Sequence, residues 1–263
     1  MEQLNLSNIS YTTVDKEIFH NLSLTIPKGS GVSIIGPSGS GKTTLARILA
    51  GRIRYRGSIK INGVEIVRSN LYLLRRYVAV VFHDKYVNKN TVINELFDSM
   101  NDLNLELEEE EARTKKIIDY FKLDDELEKR ICNFDVEWKN YIKIIKELVR
   151  NPVYLVIDDL FIDMNEDMIK RIISYCKKNK ITIINITTDM DYVTFFPYLV
   201  VLYNKEIAME GKTIECLKEE KLLRRLGFDL PFMIDLSIQL GYYGLLDRII
   251  TDNKEMIKEI WKS

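Results

Sequence analysis

One short stretch of the chain has the residue types and spacing that phosphate chemistry requires. Residues 36–43, GPSGSGKT, match the pattern G-x-x-x-x-G-K-[ST] at every fixed position. The glycines let the backbone curl so that successive N–H groups point at an anion. Lys42 is placed to reach the β- and γ-phosphates of a nucleotide, and the Thr43 hydroxyl is placed to bind Mg²⁺. The predicted nucleotide-binding residues of this P-loop are Gly36, Pro37, Ser38, Gly39, Ser40, Gly41, Lys42, Thr43 and Thr44.

A second candidate ligand for Mg²⁺ lies far along the chain. The apolar run VYLVI, residues 153–157, ends at Asp158. A carboxylate at the end of a buried strand needs a partner, and Mg²⁺ is a natural one beside a P-loop. The alternative is a surface aspartate at a strand end, and the presence of the P-loop favours the metal site.

The elements that must position these residues are strands that alternate with helices. Residues 31–36 form a short apolar strand leading into the P-loop, and residues 43–51 form the helix that follows it. Such alternation predicts an α/β fold with a mostly parallel sheet. Further strands are predicted at 3–12, 18–26, 57–63, 77–82, 153–157 and 181–186, with a hairpin at 199–209, and helices at 139–149, 165–179, 213–226, 231–241 and 253–261.

Composition excludes several classes of protein. The 263 residues include 38 basic and 39 acidic ones, a balance that gives no indication of nucleic-acid binding. The three cysteines are far apart at spacings that suit neither zinc nor a disulfide framework, which indicates a reducing cytosol. The N-terminus lacks a signal-peptide core, and the longest apolar runs are too short to span a bilayer. We therefore expect a cytoplasmic protein that reaches a membrane only through partners.

Sequence features outside the P-loop indicate which class of nucleotide-binding protein this chain resembles. A long, largely helical insert lies between Lys42 and Asp158. The guanine-reading pattern N-K-x-D is absent, because Ile207 stands where the aspartate would be. A two-stranded ribbon that carries Tyr11 precedes the P-loop. Together these features resemble the ATP-binding cassette (ABC) ATPases.

The C-terminal residues 226–244 and 249–261 resemble the tail of the energy-coupling factor ATPases, the ABC subunits of vitamin and metal-ion importers. The resemblance implies a P-loop NTPase of the ABC type in residues 1–217, with a mostly parallel core sheet, an antiparallel β subdomain and a helical subdomain at about 86–151. It also implies that the helical segment 218–263 helps two ATPase subunits to dimerise. The implied cofactors are ATP and Mg²⁺. The implied partners are a second ABC ATPase subunit, in a homo- or heterodimer, and a transmembrane coupling protein that holds the chain on the inner face of the cell membrane.

The same resemblance implies roles for residues outside the P-loop. Tyr11 stands at the aromatic position that stacks on adenine, although a tyrosine in a strand is also explained by packing. Asp159 stands where the family has the glutamate that orients the attacking water, and its side chain is shorter by about 1.5 Å. Because a misplacement of ~1 Å can lower a rate about 10²-fold, we expect slow hydrolysis. His83 stands at the position of the Q-loop glutamine, where it is a candidate contact for Mg²⁺, water or the membrane partner; the alternative is a histidine held by local hydrogen bonds. Thr188 stands at the position of the histidine that contacts the γ-phosphate, and its hydroxyl is too short to replace an imidazole.

Residues 134–138, FDVEW, stand where the family has the signature LSGGQ, which cradles the γ-phosphate of ATP bound to the partner subunit. Val136 and Glu137 replace the two glycines, so side chains stand where backbone must approach closely. Asp135 is a good N-cap, and Glu137 suits a first helical turn. The segment is therefore expected to start its own helix rather than to bind a partner's nucleotide.

The leading interpretation is the ATP-binding subunit of an importer of the energy-coupling factor type, with weak hydrolysis and Asp159 as the water-orienting residue. A composite ABC site combines one subunit's P-loop with the other subunit's signature, so neither site formed with a partner would be complete. The alternative from another class is a non-hydrolysing subunit that binds ATP as a structural or regulatory ligand. A soluble P-loop kinase is disfavoured by the helical insert and the tail.

Overall fold

The computed structural model describes residues 3–85, 88–251 and 253–261. Within these ranges the strands are β1 (Gln3–Thr12), β2 (Glu17–Pro27), β3 (Val32–Ile35), β4 (Arg56–Ile61), β5 (Val64–Glu65), β6 (Val78–Phe82), β7 (Tyr154–Asp158), β8 (Thr182–Thr187), β9 (Tyr198–Tyr203) and β10 (Glu206–Lys212). The helices are α1 (Lys42–Leu49), α2 (Leu71–Tyr77), α3 (Val92–Asp98), α4 (Leu107–Phe121), α5 (Val136–Val149), α6 (Glu166–Lys178), α7 (Thr213–Lys218), α8 (Glu220–Arg225), α9 (Phe232–Tyr242) and α10 (Asn253–Ile260).

The larger sheet brings the predicted site residues to one edge. Its described strands run in the order β10-β9-β3-β8-β7-β6, and only the β9–β10 pair is antiparallel. The pairing sets Phe82 opposite Asp158, and Asp158 opposite Ile186. Because the carboxyl ends of parallel strands meet at one edge, the residues that follow β3, β6, β7 and β8 lie close together there. The predicted α/β fold with a mostly parallel sheet is confirmed.

The smaller sheet is antiparallel and runs β2-β1-β4-β5. Its buried side chains share one apolar cluster with α1 and one face of the larger sheet. Alternation along strand β7 explains this arrangement, since successive side chains point to opposite faces. Val156 packs in the cluster with α1, whereas Leu155 and Ile157 pack in the cluster with α5 and α6.

The insert between β6 and β7 is helical, as the sequence predicts. Helices α3, α4 and α5 pack into the cluster that covers one face of the larger sheet. The predicted lower bound of this helical subdomain, residue 86, lies outside the described residues. Among the described residues, no helix combines the length and the apolar character needed to cross a bilayer.

The C-terminal helices pack beside the far end of the larger sheet. Leu217, Leu223 and Ile234 share a buried cluster with Leu199 and Val201 of β9. The single helix predicted at 213–226 is wrong in one respect, because it is two helices. Glu219 between them has a ψ of 49°, which lies outside the helical region. Residue 263, the predicted end of the segment, lies outside the described residues.

Candidate nucleotide site

The P-loop runs from the end of β3 into α1, and close packing explains two of its glycines. A Cβ on Gly41 would lie 2.7 Å from both Ile18 Cγ2 and the Phe19 ring, and its φ of 101° is a region that glycine alone adopts readily. A Cβ on Gly36 would lie 2.3 Å from Ser40 Oγ and 2.8 Å from the Leu202 carbonyl oxygen. The loop is therefore compact backbone pressed against β2 and β9.

Lys42 is the cation of this loop and is buried. Its Nζ donates to the carbonyl oxygen of Gly36 at 2.6 Å and to that of Pro37 at 3.2 Å. Burial lowers the pKa of Lys42, and the nearby carboxylates of Asp159 and Asp158 partly offset that shift. The ammonium group is thus folded back into the loop, near the carboxylates of Asp158, which ends β7, and Asp159, which follows it.

Asp158 and Thr43 supply oxygen atoms that fit Mg²⁺. Asp158 is the last residue of β7 and is 3% exposed. Burial raises the pKa of its carboxyl, and a hydrogen bond with the Thr43 side chain partly offsets that shift. Asp158 Oδ1 is buried and has no hydrogen-bond partner among the described residues. An unpartnered carboxylate oxygen beside a threonine hydroxyl is the hard-oxygen donor set that Mg²⁺ prefers.

Asp159 and Thr188 are brought together, but through the backbone of Thr188. The N–H of Asp159 donates to the Ile186 carbonyl oxygen at 2.8 Å, and its Oδ1 accepts from the Thr188 N–H at 3.0 Å. Asp159 has a φ of 55°, a left-handed conformation that aspartate tolerates better than most residues. One oxygen of the candidate catalytic carboxylate is therefore bonded to the loop that follows β8.

His83 follows β6 and pairs with the loop after β7. Its Nε2 lies 2.7 Å from Asp163 Oδ2, and both side chains are partly exposed. Asn140 Nδ2 of α5 approaches the same Asp163 oxygen at 3.5 Å. The geometry agrees with a histidine held by local hydrogen bonds, and the predicted contact with Mg²⁺ or water stays a prediction.

Lys143 is a residue that the sequence analysis missed. It lies on α5, is 4% exposed, and donates from Nζ to the Phe82 carbonyl at 2.9 Å and to the Asp84 carbonyl at 2.7 Å. The same Nζ forms an ion pair with Asp84 Oδ1 at 2.8 Å. The three contacts attach the segment that contains His83 to the helical insert. Only a lysine in a run of isoleucines hinted at this role, and its partners cannot be read from that pattern.

The segment FDVEW starts a helix, as predicted, and the expectation that it does not bind a partner's nucleotide stays a prediction. Asp135 is the N-cap of α5, and its Oδ1 accepts from the Trp138 N–H at 2.8 Å. Glu137 Oε1 accepts from the backbone N–H of Asn165 at 2.5 Å, and Asn165 is the N-cap of α6. Glu137 is therefore bonded within its own chain, at the start of a neighbouring helix.

Tyr11 does not line the cavity beside the P-loop, although Glu17 borders both that cavity and the one that Tyr11 lines. Its ring packs against the apolar cluster of the smaller sheet and lines a cavity with Tyr55 and Arg56. The adenine-stacking role remains a prediction. The cavity of about 270 Å³ beside the P-loop is lined instead by Lys16, Glu17, Ile18, Pro37, Ser38, Gly39, Ser40, Tyr203, Asn204 and Lys205.

The two sides of this cavity are joined by an ion pair that the sequence analysis also missed. Lys205 Nζ lies 2.9 Å from Glu17 Oε2, and the His20 N–H donates to the Lys205 carbonyl at 3.2 Å. Asn204 and Lys205 both have positive φ and form the tip of the β9–β10 hairpin. The sequence indicates that turn, but only the strand order brings it to β2.

The chain is similar in sequence to known proteins over most of its length. Residues 19–161 match the family model described as ABC transporter. A putative ABC transporter ATP-binding protein of Clostridium acetobutylicum is 30% identical over 257 residues, which cover 94% of this chain and 92% of that protein. An energy-coupling factor transporter ATP-binding protein of Ureaplasma parvum is 28% identical over 263 residues, 95% of this chain and 88% of that protein.

Solved structures show the same fold. A Clostridium perfringens protein described as part of the ABC transporter complex cbiONQ superposes with a TM-score of 0.75. The match covers 93% of this chain and 99% of that chain at 20% identity. At this identity the similarity extends to the fold alone.

Proposed function

We propose, from the premise that this chain belongs to the family of ABC transporter ATP-binding proteins, that it binds MgATP and drives an importer of the energy-coupling factor type. The ligands would be the P-loop residues 36–44 for the phosphates and the Thr43 and Asp158 oxygens for Mg²⁺. When bound, Mg²⁺ would neutralise charge on the β- and γ-phosphates. The cargo class proposed is a vitamin or a metal ion.

The observation that carries this proposal is the grouping of Lys42, Thr43 and Asp158. A buried ammonium whose partners are backbone carbonyls can exchange them for phosphate oxygens. The unpartnered Asp158 Oδ1 and the neighbouring Thr43 could bind Mg²⁺ next to the phosphate oxygens. Both groups lie at the carboxyl edge of the parallel sheet, where ligands bind in open α/β folds.

Two partners are proposed: a second ABC ATPase subunit and a transmembrane coupling protein on the inner face of the cell membrane. Curated relatives named energy-coupling factor transporter ATP-binding proteins support this assignment. The C-terminal segment supports it as well, because it exposes the large apolar side chains of Phe232, Tyr243 and Trp261. We propose that this segment, residues 218–263, contributes to the dimer.

The proposal is tested by tagged purification from detergent-solubilised native membranes, with identification of each co-purifying protein. A second ABC ATPase together with a polytopic membrane protein is the expected result. The matched control is the same purification with Phe232→Ser/Tyr243→Ser/Trp261→Ser, which should lose the second ATPase while the chain still binds MgATP. Recovery of soluble proteins alone, or of none, would contradict the transporter assignment.

A second candidate function is a subunit that binds ATP without hydrolysing it. Three in-chain bonds favour it: Asp159 Oδ1 with the Thr188 N–H, Glu137 with the Asn165 N–H, and His83 with Asp163. Each occupies a side chain at a position where the family contacts water or nucleotide. The discriminating measurement is ATP turnover by the assembled complex that carries Asp159→Asn. Unchanged turnover would favour this second function, and a clear fall would favour a catalytic Asp159.

A further inference from the structure

A concentrated basic region lies outside the P-loop. Residues 51–77 contain one acidic residue, Glu65, in a chain whose net charge is −1. Glu65 lies 3.6 Å from Lys60, so its charge is already paired. The remaining bases are all arginines, and we call them the arginine strip: Arg52, Arg54, Arg56, Arg68, Arg75 and Arg76.

In the first half of the arginine strip, exposed arginines alternate with half-buried apolar side chains that anchor the segment. Ile53 and Tyr55 are half-buried and pack against the core cluster that contains α1. Arg52, Arg54 and Arg56 lie between and beside them and are exposed. Arg54 and Arg56 therefore lie on the exposed side of this segment. The guanidinium group of Arg52 stacks on the Phe82 ring, 4.3 Å from its centroid. The packing of Ile53 and Tyr55 therefore fixes the position of this half of the strip.

The second half of the strip continues the same surface. A cavity of about 590 Å³ is lined by Arg52, Arg54, Arg68 and Leu71 among others. A cavity of about 480 Å³ is lined by Leu71, Tyr72, Arg75 and Arg76 among others. Leu71 borders both, so the two cavities adjoin. Arg56 lines a third cavity, which it shares with Arg54 and Tyr11.

Two acidic side chains of the described residues line cavities with these arginines, and each already has a partner. Glu17 shares a cavity with Arg54 and Arg56 and pairs with Lys205. Asp102 is the acid that lines the second cavity, and Arg150 already binds it with contacts of 2.6 and 3.0 Å. In the part of the chain that the structure describes, the side chains of Arg54, Arg56 and Arg68 form no hydrogen bond or ion pair. Their charge is available to an external anion.

Apolar side chains are exposed among these arginines. Tyr72 is 64% exposed and Val67 is 49% exposed. Each borders one of the two cavities. Arginine fits phosphate oxygens in a bidentate manner, and tyrosine is favoured at the depth of lipid headgroups. The combination matches an anionic bilayer surface better than a soluble polyanion, which would leave Tyr72 and Val67 in water.

We propose that the arginine strip binds the anionic phospholipid headgroups of a bilayer directly. The strip begins after the C-terminal end of α1, whereas the P-loop lies at its N-terminal end, roughly 12 Å away along an eight-residue helix. Lipid binding is therefore separate from the phosphate contacts of the P-loop. It gives the chain a membrane contact of its own, in addition to any partner.

The test is co-sedimentation of the full chain with phosphatidylcholine vesicles that contain about one-third phosphatidylglycerol, compared with phosphatidylcholine alone. Binding is expected only to the anionic vesicles and is expected to weaken as salt is raised. Arg54→Gln/Arg56→Gln/Arg68→Gln should weaken it at least about tenfold, since each cation near an anionic surface contributes about fivefold. Lys115→Gln/Lys177→Gln/Lys221→Gln removes the same charge from exposed lysines elsewhere and should bind as the wild type does.

Three results would overturn the proposal: no vesicle binding by the wild type, equal losses in the two triple variants, or binding to soluble polyglutamate but not to vesicles. The last result would assign the strip to an acidic protein. MgATP affinity measured on the same preparations separates this outcome from the proposed function. A chain that binds MgATP but not vesicles contradicts the lipid contact alone.

Discussion

The carboxylate of Asp159 accepts a hydrogen bond of 3.0 Å from the backbone N–H of Thr188. This bond joins the end of β7 to the loop after β8. The sequence predicts that these two residues stand at the family's water-orienting glutamate and its γ-phosphate-contacting histidine. A carboxylate with one oxygen held by a backbone donor has less freedom to turn towards water. The bond therefore gives a structural reason to expect slow hydrolysis.

Lengthening this side chain should increase ATP turnover. In the assembled complex, Asp159→Glu is expected to raise the rate at least about tenfold, because the carboxylate would reach further towards the attacking water. The left-handed backbone at Asp159 would cost the variant about 1 kcal/mol of stability. Steady-state phosphate release measures the effect. A rate at or below that of the wild type would count against limited reach as the cause of slow hydrolysis.

Removing the P-loop cation should abolish tight nucleotide binding. Lys42→Ala is expected to weaken MgATP binding about 100-fold, since two or more charge-assisted hydrogen bonds to phosphate are lost. Titration calorimetry on the full chain measures the affinity. Lys115→Ala, an exposed lysine on α4, is the control and should bind MgATP as the wild type does. Equal affinities in the two variants would show that phosphate is not held by this loop.

Asp158 should be needed for the metal rather than for the fold. Asp158→Asn removes a buried carboxylate whose Oδ1 has no partner among the described residues, so the melting temperature without ligand is expected to stay level or rise. The further rise that MgATP gives over ATP with chelator should disappear. Thermal melts under the three conditions check both effects. A retained Mg²⁺ effect would move the metal site away from Asp158.

The buried contacts of Lys143 should stabilise the junction between the sheet and the helical insert. Lys143→Met leaves the Phe82 and Asp84 carbonyls without their donor, and should lower the free energy of unfolding by about 1–3 kcal/mol. Lys139→Met on the same helix is the control, with an expected change within about 0.5 kcal/mol. Urea denaturation measures both. Hydrogen exchange at Asp84 should also become faster in Lys143→Met alone.

One thiol should react quickly in the folded chain. Cys132 is exposed, whereas Cys176 and Cys216 are buried. Burial raises the pKa of both buried thiols, so their reactive thiolate fraction stays small as the pH rises through 8 towards 9. Ellman's reagent should therefore detect one fast thiol over that range and three after denaturation. Cys132→Ser should remove the fast phase, and a persisting fast phase would place another cysteine at the surface.

Several parts of this protein follow from local sequence. The P-loop is recognisable from residues 36–43 because each fixed residue meets a local need, either a backbone turn or a phosphate contact. Asp158 is recognisable because a charge at the end of an apolar run is rare. Alternation in strands, and an aspartate N-cap before α5, are likewise properties of neighbouring residues. These signals need no knowledge of what lies across the fold.

The remaining features depend on which strands are neighbours. Asp159 meets Thr188 because β7 pairs with β8, and Lys205 reaches Glu17 because the β9–β10 hairpin ends beside β2. Lys143 finds its acceptors after β6 only because α5 packs on that part of the sheet. Such contacts join residues far apart in sequence, and hydrophobic periodicity does not show which residue will be the partner. Strand order and crossover packing decided them, and with them the geometry of the site.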